Sequence, residues 1–329
     1  MYSIEARSLS KHFDGVKAVD DMSFTVDSGE IFGFLGPNGA GKSTMMMILT
    51  TLLKPTSGHA LVSGYDVMLH PKKVRQKIGY VQQDTVVDEY LTGRENLILH
   101  ARLSHIPKNQ INSRIDDILG LIELEEKQNE PVVTYSGGMR KRLDIAGGLL
   151  HRPEVLFLDE PTVGLDIQTR KKIWEYIKKI HDEFGMSLFL STHYMEEADK
   201  LCDRVAIINN GTIQAMDSPQ KMKSEMGSDV ITMSIDESPG EHLTNVEKIP
   251  QVTNINHTAN KLVIFASNGA DAMPKILEIF SHAGIKINSI TMTQPTLDDV
   301  FISYTGREIS DDRNDSGKPN RPKAKRSIL

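Results

Sequence analysis

The chain has one cysteine, Cys202, in 329 residues. No disulfide can form within it, a cysteine-built zinc site is out of reach, and a lone thiol fits a reducing compartment. Long apolar runs are also missing: the longest, such as Met45 to Leu49, fall far short of the roughly 18 residues a membrane-spanning helix needs. The opening MYSIEARSLSKHF has no apolar core of the signal-peptide kind. Action at a membrane therefore calls for a separate partner. Positive charge is not in excess; a formal net charge of −6 gives no general attraction to nucleic acid or anionic lipid. The eleven histidines include no H-E-x-x-H pair, and no sustained heptads point to a long coiled coil. The remaining composition, 39% hydrophobic and 25% charged, is ordinary for a globular protein, and the length suits about two domains.

The informative stretch is Gly36-Pro37-Asn38-Gly39-Ala40-Gly41-Lys42-Ser43-Thr44, spaced G-x-x-x-x-G-K-[ST]. Glycines let successive backbone N–H groups turn inward on an anion. Lys42 can then reach the β- and γ-phosphates of a nucleoside triphosphate, and the Ser43 hydroxyl can ligate Mg²⁺. Glu30 to Leu35 reads as a buried strand before the loop, and Lys42 to Leu53 as an apolar helix after it, with its N-terminus facing the phosphates. A plain glycine turn would explain the spacing but not these flanks. Met45, Met46 and Met47 fit the buried side of that helix.

A second strand, Val155 to Leu158, closes on Asp159, Glu160 and Pro161. In a P-loop fold such a strand lies beside the phosphate-loop strand and its end meets the γ-phosphate. Asp159 can hold Mg²⁺ through water, and Glu160 can polarise a water for in-line attack. Tyr135-Ser136-Gly137-Gly138-Met139 precedes a basic amphipathic helix and forms a second anion-binding nest. One nucleotide needs one such loop, so the second serves a different nucleotide or completes the site of another subunit.

Residues 2–35 alternate in short runs with turn signals at Gly15 and Ser28-Gly29, which predicts an antiparallel β-layer. Strand character returns over 59–67 and 77–81. A helical block runs from Leu91 to near Pro131, opening with a capping box at Thr92 and Glu95 and containing an amphipathic helix over 114–124. Strands at 155–158 and 187–190 flank a helix over 167–184, the order of a parallel sheet. Beyond Ser228 the pattern is strand 229–235, a loop or helix near 239–248, strands 252–256 and 261–265, helix 271–283 and strand 285–292. That β-α-β-β-α-β order predicts a ferredoxin-like unit. From Arg307 onward, aromatics are absent and Lys318, Arg321, Lys323, Lys325 and Arg326 make a basic tail. Its composition reads as disordered, with contact to anionic headgroups as the alternative. The expected domains are 1–228, 229–306 and the tail 307–329.

The ordered set GPNGAGKST (36–44), YSGGM (135–139), VLFLDEP (155–161), GLD (164–166) and STH (191–193) resembles the ATP-binding subunits of ABC transporters over roughly residues 2–225. VDEYLTGREN, TYSGGMRKRLDIA and QPTLDDVFISYTGRE look like the daunorubicin-resistance type of exporter ATPase and carry the resemblance nearly to the tail. It implies an α/β P-loop NTPase core of ABC type with an antiparallel β-layer and an inserted helical subdomain, plus a smaller α+β, ferredoxin-like C-terminal domain. ATP and Mg²⁺ are the implied cofactors.

By resemblance, Phe13 stacks on adenine, unless it is an ordinary core residue. Gln83, rather than Gln82, senses Mg²⁺ and water and touches the membrane partner. His193 holds the γ-phosphate and positions the attacking water. Asp166 couples two sites across a dimer, and Ser136, Gly137 and Gly138 reach the γ-phosphate held by the other subunit. The implied assembly is a homodimer, or a pair with another ABC ATPase, closed around two ATP on the cytoplasmic face of the membrane. Separate polytopic permease subunits would carry a drug-like or other amphipathic substrate outward. Import, or export of lipid or polysaccharide, is the alternative. A soluble ABC ATPase acting on DNA or ribosomes is disfavoured by the single phosphate loop, the lack of heptads and the acidic balance. The chain departs from the common signature at Tyr135 and Met139, where leucine and glutamine are usual. Gly147 and Gly148 lie inside the expected signature helix at about 1 kcal/mol each relative to alanine; close helix packing is the expected reason.

Overall fold

The structure, a computed structural model, describes residues 1–236, 240–258 and 261–305; the basic tail expected at 307–329 lies outside them. β1 (Tyr2–Phe13) and β2 (Val16–Asp27) form the expected antiparallel hairpin, turned at Asp14 and Gly15, which both have positive φ. β3 (Ile31–Leu35) enters a different sheet and is followed by α1 (Lys42–Leu49). This helix stops four residues short of the sequence expectation. Thr50 bonds back to the Met46 carbonyl at 2.8 Å, and Thr51 takes a left-handed φ of 67°, which ends helical propagation. β4 (Ser57–Val62) and β5 (Tyr65–Asp66) return to the first layer, giving the order β2-β1-β4-β5. Between β5 and β6 (Ile78–Val81) lies α2 (Pro71–Lys77), a short helix that the sequence pattern does not announce.

The helical block contains α3 (Gly93–Leu103) and α4 (Lys108–Leu121). The capping box is present: the Thr92 hydroxyl accepts from the Glu95 amide, and the Glu95 carboxylate accepts from the Thr92 amide. The chain then runs through α5 (Gly137–Leu149), β7 (Val155–Asp159), α6 (Ile167–Phe184), β8 (Ser187–Thr192), α7 (Met195–Leu201), β9 (Arg204–Asn209) and β10 (Thr212–Asp217). The second sheet has the order β10-β9-β3-β8-β7-β6 and is parallel from β9 to β6, so β7 is not beside the phosphate-loop strand β3 as expected: β8 is inserted between them and pairs with both.

Every residue of β3, β7 and β8 is buried, as a parallel sheet covered on both faces requires. One face meets the antiparallel layer through Phe24, Phe32, Phe34, Phe157 and Phe189, whose rings lie 5.1–6.3 Å apart. Met45 and Met46 of α1 are buried in the same cluster. The other face, including Ile31, Leu35, Leu156, Leu158, Leu188 and Leu190, packs against the helices. At about 1.5–3 kcal/mol per fully buried large side chain, these two layers supply the main drive to fold.

α8 (Pro219–Glu225) leads into a third sheet. Its elements are β11 (Asp229–Ile235), α9 (Leu243–Glu247), β12 (Val252–Thr258), β13 (Lys261–Ala266), α10 (Gly269–His282) and β14 (Ile287–Thr293). The strand order β12-β13-β11-β14 with every neighbour antiparallel is the ferredoxin-like arrangement. After β14 the chain turns back. α11 (Leu297–Thr305) carries Asp298 and Asp299 in its first turn, and its Leu297, Val300 and Phe301 join the core that holds α5, α6 and α7.

The glycine pair in α5 has a packing reason. A Cβ on Gly147 would press on the His100 ring at 3.1 Å, and one on Gly148 would press on Val81 at 3.2 Å. Across the interface, a Cβ on Gly79 of β6 would sit 2.4 Å from the Gly148 carbonyl oxygen. That obstacle is backbone, so it cannot rotate away. Gly79→Ala is expected to destabilise the chain by about 1–3 kcal/mol, the usual cost of overpacking, read as a lowered midpoint in chemical denaturation.

Candidate active site

Parallel pairing brings the ends of β3, β7 and β8 to one level: Leu35 pairs with Thr192, and Asp159 with Ser191. The loop 36–44 leaves β3 there. Gly41 has φ 103°, and a Cβ on it would lie 2.1 Å from the Ala18 carbonyl of β2. Only glycine makes this turn. The loop closes on α1, whose first residue is Lys42.

Lys42 is 4% exposed. Its Nζ donates to the carbonyls of Gly36 at 2.7 Å and Pro37 at 3.1 Å, and lies 3.1 Å from Oε1 of Glu160. The other carboxylate oxygen of Glu160, Oε2, is 3.2 Å from His193 Nδ1. Glu160 itself has a left-handed φ of 45°, a strained backbone for a non-glycine residue. Its amide donates to the Ser191 hydroxyl at 3.0 Å and the Ser191 carbonyl at 3.1 Å. The Ser191 hydroxyl in turn donates to Asp159 Oδ1, which also accepts from the Ser43 hydroxyl at 3.3 Å.

A cavity of about 270 Å³ opens on this cluster, lined by Asn38, Gly39, Gly41, Lys42, Ser43, Thr44, Gln83, Glu160 and Ala18. Gly36, Pro37 and Ala40 complete the loop behind it. Gln83 follows β6 and is exposed, and it also lines a neighbouring cavity of about 290 Å³ that reaches Gly137 and Leu165. The oxygen set of Ser43 and Asp159, with Gln83 close by, has the hard-donor chemistry that suits Mg²⁺ with water and phosphate as further ligands.

The remaining expected residues lie apart from the first cavity. Phe13 is 43% exposed at the hairpin tip, with Lys11 Nζ 5.0 Å from its ring centre. That removes the alternative of Phe13 as a core residue. Ser136 caps α5, its hydroxyl accepting from the Met139 amide, and Gly137 and Gly138 form the first turn. A Cβ on Gly138 would meet Thr169 of α6 at 2.5 Å, so the signature turn is pressed against α6. Asp166 caps α6 by accepting from the amides of Gln168 and Thr169, both at 3.0 Å. Tyr135 fills the place of the usual leucine and buries its ring, with its hydroxyl donating to the Lys127 carbonyl at 2.6 Å. Gly93 makes room for it.

Sequence reasoning did not single out Ser191. Its place at the end of a strand beside the Asp-Glu strand was the available signal. Glu197 of α7 was missed as well. It is wholly buried and accepts from Thr162 and Trp174, each at 2.8 Å. Burial pushes its carboxyl upward, against these hydrogen bonds. It ties the helix after His193 to the segment after Glu160.

Fold and site together define a P-loop ATPase: a glycine loop on a helix N-terminus faces an acidic strand end and a histidine. Residues 19–163 match the ABC transporter family, and residues 218–305 match the C-terminal domain of DrrA1-3-like ATP-binding proteins. The chain is 36% identical over 306 residues to the daunorubicin resistance ATP-binding protein DrrA3 of Streptomyces coeruleorubidus, spanning 92% of this chain and 96% of that one. The solved structure of cbiO1 from Clostridium perfringens, part of the ABC transporter complex cbiONQ, is similar with a TM-score of 0.64 at 29% identity, covering 68% of this chain and 91% of that one. A dimeric ATP-binding cassette in a post-hydrolysis state with ADP and Pi is similar with a TM-score of 0.59 at 27% identity, covering 65% and 98%. The chain belongs to the ATP-binding subunits of ABC transporters. It is an ATPase whose hydrolysis is coupled to transport.

Burial alone would raise the Glu160 carboxyl, but the His193 hydrogen bond and the Lys42 charge outweigh it and hold the group below the ordinary 4.5. A carboxyl lowered on folding adds stability that is complete above its unfolded value and is lost as pH falls through the folded one. The stability that Glu160 adds relative to Glu160→Gln should therefore shrink as pH falls below about 5. Denaturant titrations above and below that pH read it directly.

Proposed function

We propose that this chain is the ATPase motor of an exporter for drug-like or other amphipathic molecules, working as a homodimer closed around two ATP. The observation that carries the reading is Lys42 held by Glu160 at 3.1 Å within the phosphate loop. An incoming γ-phosphate offers Lys42 a stronger anion than Glu160. The carboxylate, still beside His193, is then released to accept a proton from the attacking water. His193 orients that water and the γ-phosphate. Backbone N–H groups of 36–44 cradle the phosphates, and Phe13, exposed at its hairpin tip, stacks on adenine. Ser43, Asp159 and Gln83 would hold Mg²⁺, which when bound neutralises charge on the β- and γ-phosphates.

The second anion nest supports the dimer. Ser136, Gly137 and Gly138 lie away from the phosphate-loop cavity of their own chain, which leaves them for the γ-phosphate bound by the partner. Asp166, fixed as a helix cap beside that nest, passes contact from one site to the other. Residues 1–228 form the nucleotide-binding domain and 229–306 an accessory domain, clasped to the first by α11. Among the described residues no helix is long and apolar enough to cross a membrane. The substrate path therefore belongs to polytopic permease subunits, with this chain on their cytoplasmic face. Export of a drug-like substrate rests on the resistance named for DrrA3.

Lys42→Ala should abolish ATP hydrolysis while the chain still folds; unchanged turnover would remove the phosphate-loop assignment. Glu160→Gln should slow hydrolysis by about 10²–10⁴-fold, the range for loss of a general base, yet keep ATP bound. Size-exclusion chromatography with saturating ATP should then show a dimer, and a persistent monomer would count against the two-ATP assembly.

A further inference from the structure

The signature helix α5 buries a charged pair whose contacts lie in an unexpected direction. Lys141 and Asp144, one turn apart, are 4% and 6% exposed, with Nζ 3.5 Å from Oδ2. Taking two charges out of water is costly, and apolar side chains of similar size often pack there at no loss of stability. The helix already has an apolar buried face in Leu143, Ile145, Ala146 and Leu149. The pair therefore needs a reason beyond packing.

Its hydrogen bonds all go to the loop after β6. Lys141 Nζ donates to the carbonyls of Gln82 at 2.8 Å and Gln83 at 3.2 Å. Asp144 Oδ1 accepts from the Val86 amide at 3.3 Å. The lysine grips the start of the loop and the aspartate holds it again at Val86, before its midpoint. Asp144 Oδ2 has no hydrogen-bond partner and faces the lysine ammonium at 3.5 Å. Gln83, held by its own carbonyl on Lys141, lines both the phosphate-loop cavity and the cavity that reaches Gly137 and Lys141. A helix that starts at Ser136 is thus joined, within one chain, to the glutamine beside the phosphate loop.

We propose that Lys141 and Asp144 are positioning residues for ATP hydrolysis, transmitting the position of the 136–138 turn to Gln83. Engagement of that turn by the nucleotide of a second copy then sets Gln83 in the first copy's own site. This rests on the reading of Gln83 and of Ser136 to Gly138 given above and names the physical link between them. The link is short: two buried side chains of α5, one on the carbonyls of Gln82 and Gln83 and one on the Val86 amide.

Removing one member strands the other charge, so the informative variant is Lys141→Met/Asp144→Leu, which removes both. Steady-state ATP hydrolysis by the full chain is compared for the natural protein, this variant, Gln83→Ala and the three substitutions combined. The paired variant should lose about tenfold in kcat with the KM for ATP within about twofold, the mark of misplacement without lost binding. Its thermal midpoint should not fall. The combined variant should be no slower than Gln83→Ala alone, because the pair acts through Gln83. Lys141→Arg, which can reach the same carbonyls, should keep most of the rate. Natural turnover in the paired variant overturns the proposal, and so does a loss that multiplies with that of Gln83→Ala. If Gln83→Ala alone hydrolyses at the natural rate, the assignment of Gln83 fails first and the proposal falls with it. Should the paired variant not fold, Lys141→Met/Asp144→Asn, which releases the Gln82 and Gln83 carbonyls, keeps an acceptor for the Val86 amide and strands no charge, is carried through the same comparison with Gln83→Ala under the same criteria.

Discussion

The chemistry of this chain depends on the register of three parallel strands. With β3, β8 and β7 paired so that Leu35 meets Thr192 and Asp159 meets Ser191, the phosphate loop, the two carboxylates and the histidine all emerge at one edge. Side chains alternate across the sheet, so a slip of one residue would exchange its two faces. Phe32 and Phe34 would then point into the helices, and Ile31 and Leu35 into the aromatic layer. The register is held by the mismatch that such a slip would create on both sides at once.

The site concentrates charge where water is scarce, and each charge is met by a named partner. Lys42 rests on two carbonyls and Glu160, Glu160 on Lys42 and His193, and Asp159 on the hydroxyls of Ser43 and Ser191. Unpaired, any of them would carry a large desolvation cost. Left-handed backbone at Glu160 is the local strain that aims its carboxylate at the lysine. A similar economy of buried polar groups appears at Glu197 and at the Lys141–Asp144 pair, where the partners join segments distant in sequence.

Much of the fold was legible from local pattern. Periodicity marked α6 and its flanking strands, the capping box marked the start of α3, and the β-α-β-β-α-β order foretold the third sheet. The misses have local or tertiary causes. α1 ends early because Thr50 and Thr51 turn the backbone, and α2 is too short to show a period. α11 follows the third sheet in sequence but buries Leu297, Val300 and Phe301 in the first core, which no order of elements reveals. Gly147 and Gly148, by contrast, serve the close packing expected of them, with His100 of α3 and Gly79 of β6 against them.

The sequence by itself determined the chemical class. A phosphate loop, a signature turn and an Asp-Glu strand end are short contiguous motifs, because each does its work with neighbouring backbone groups. Tertiary structure alone decided which of these meet. It brought Lys42 to Glu160 and His193, put Ser191 under Asp159, and left Ser136 to Gly138 away from the phosphate loop of the same chain. It also fastened Gln83 to the signature helix through Lys141 and Asp144. Those distances are set by strand register and helix packing, which arise from contacts between residues far apart in the chain and leave no local pattern to read.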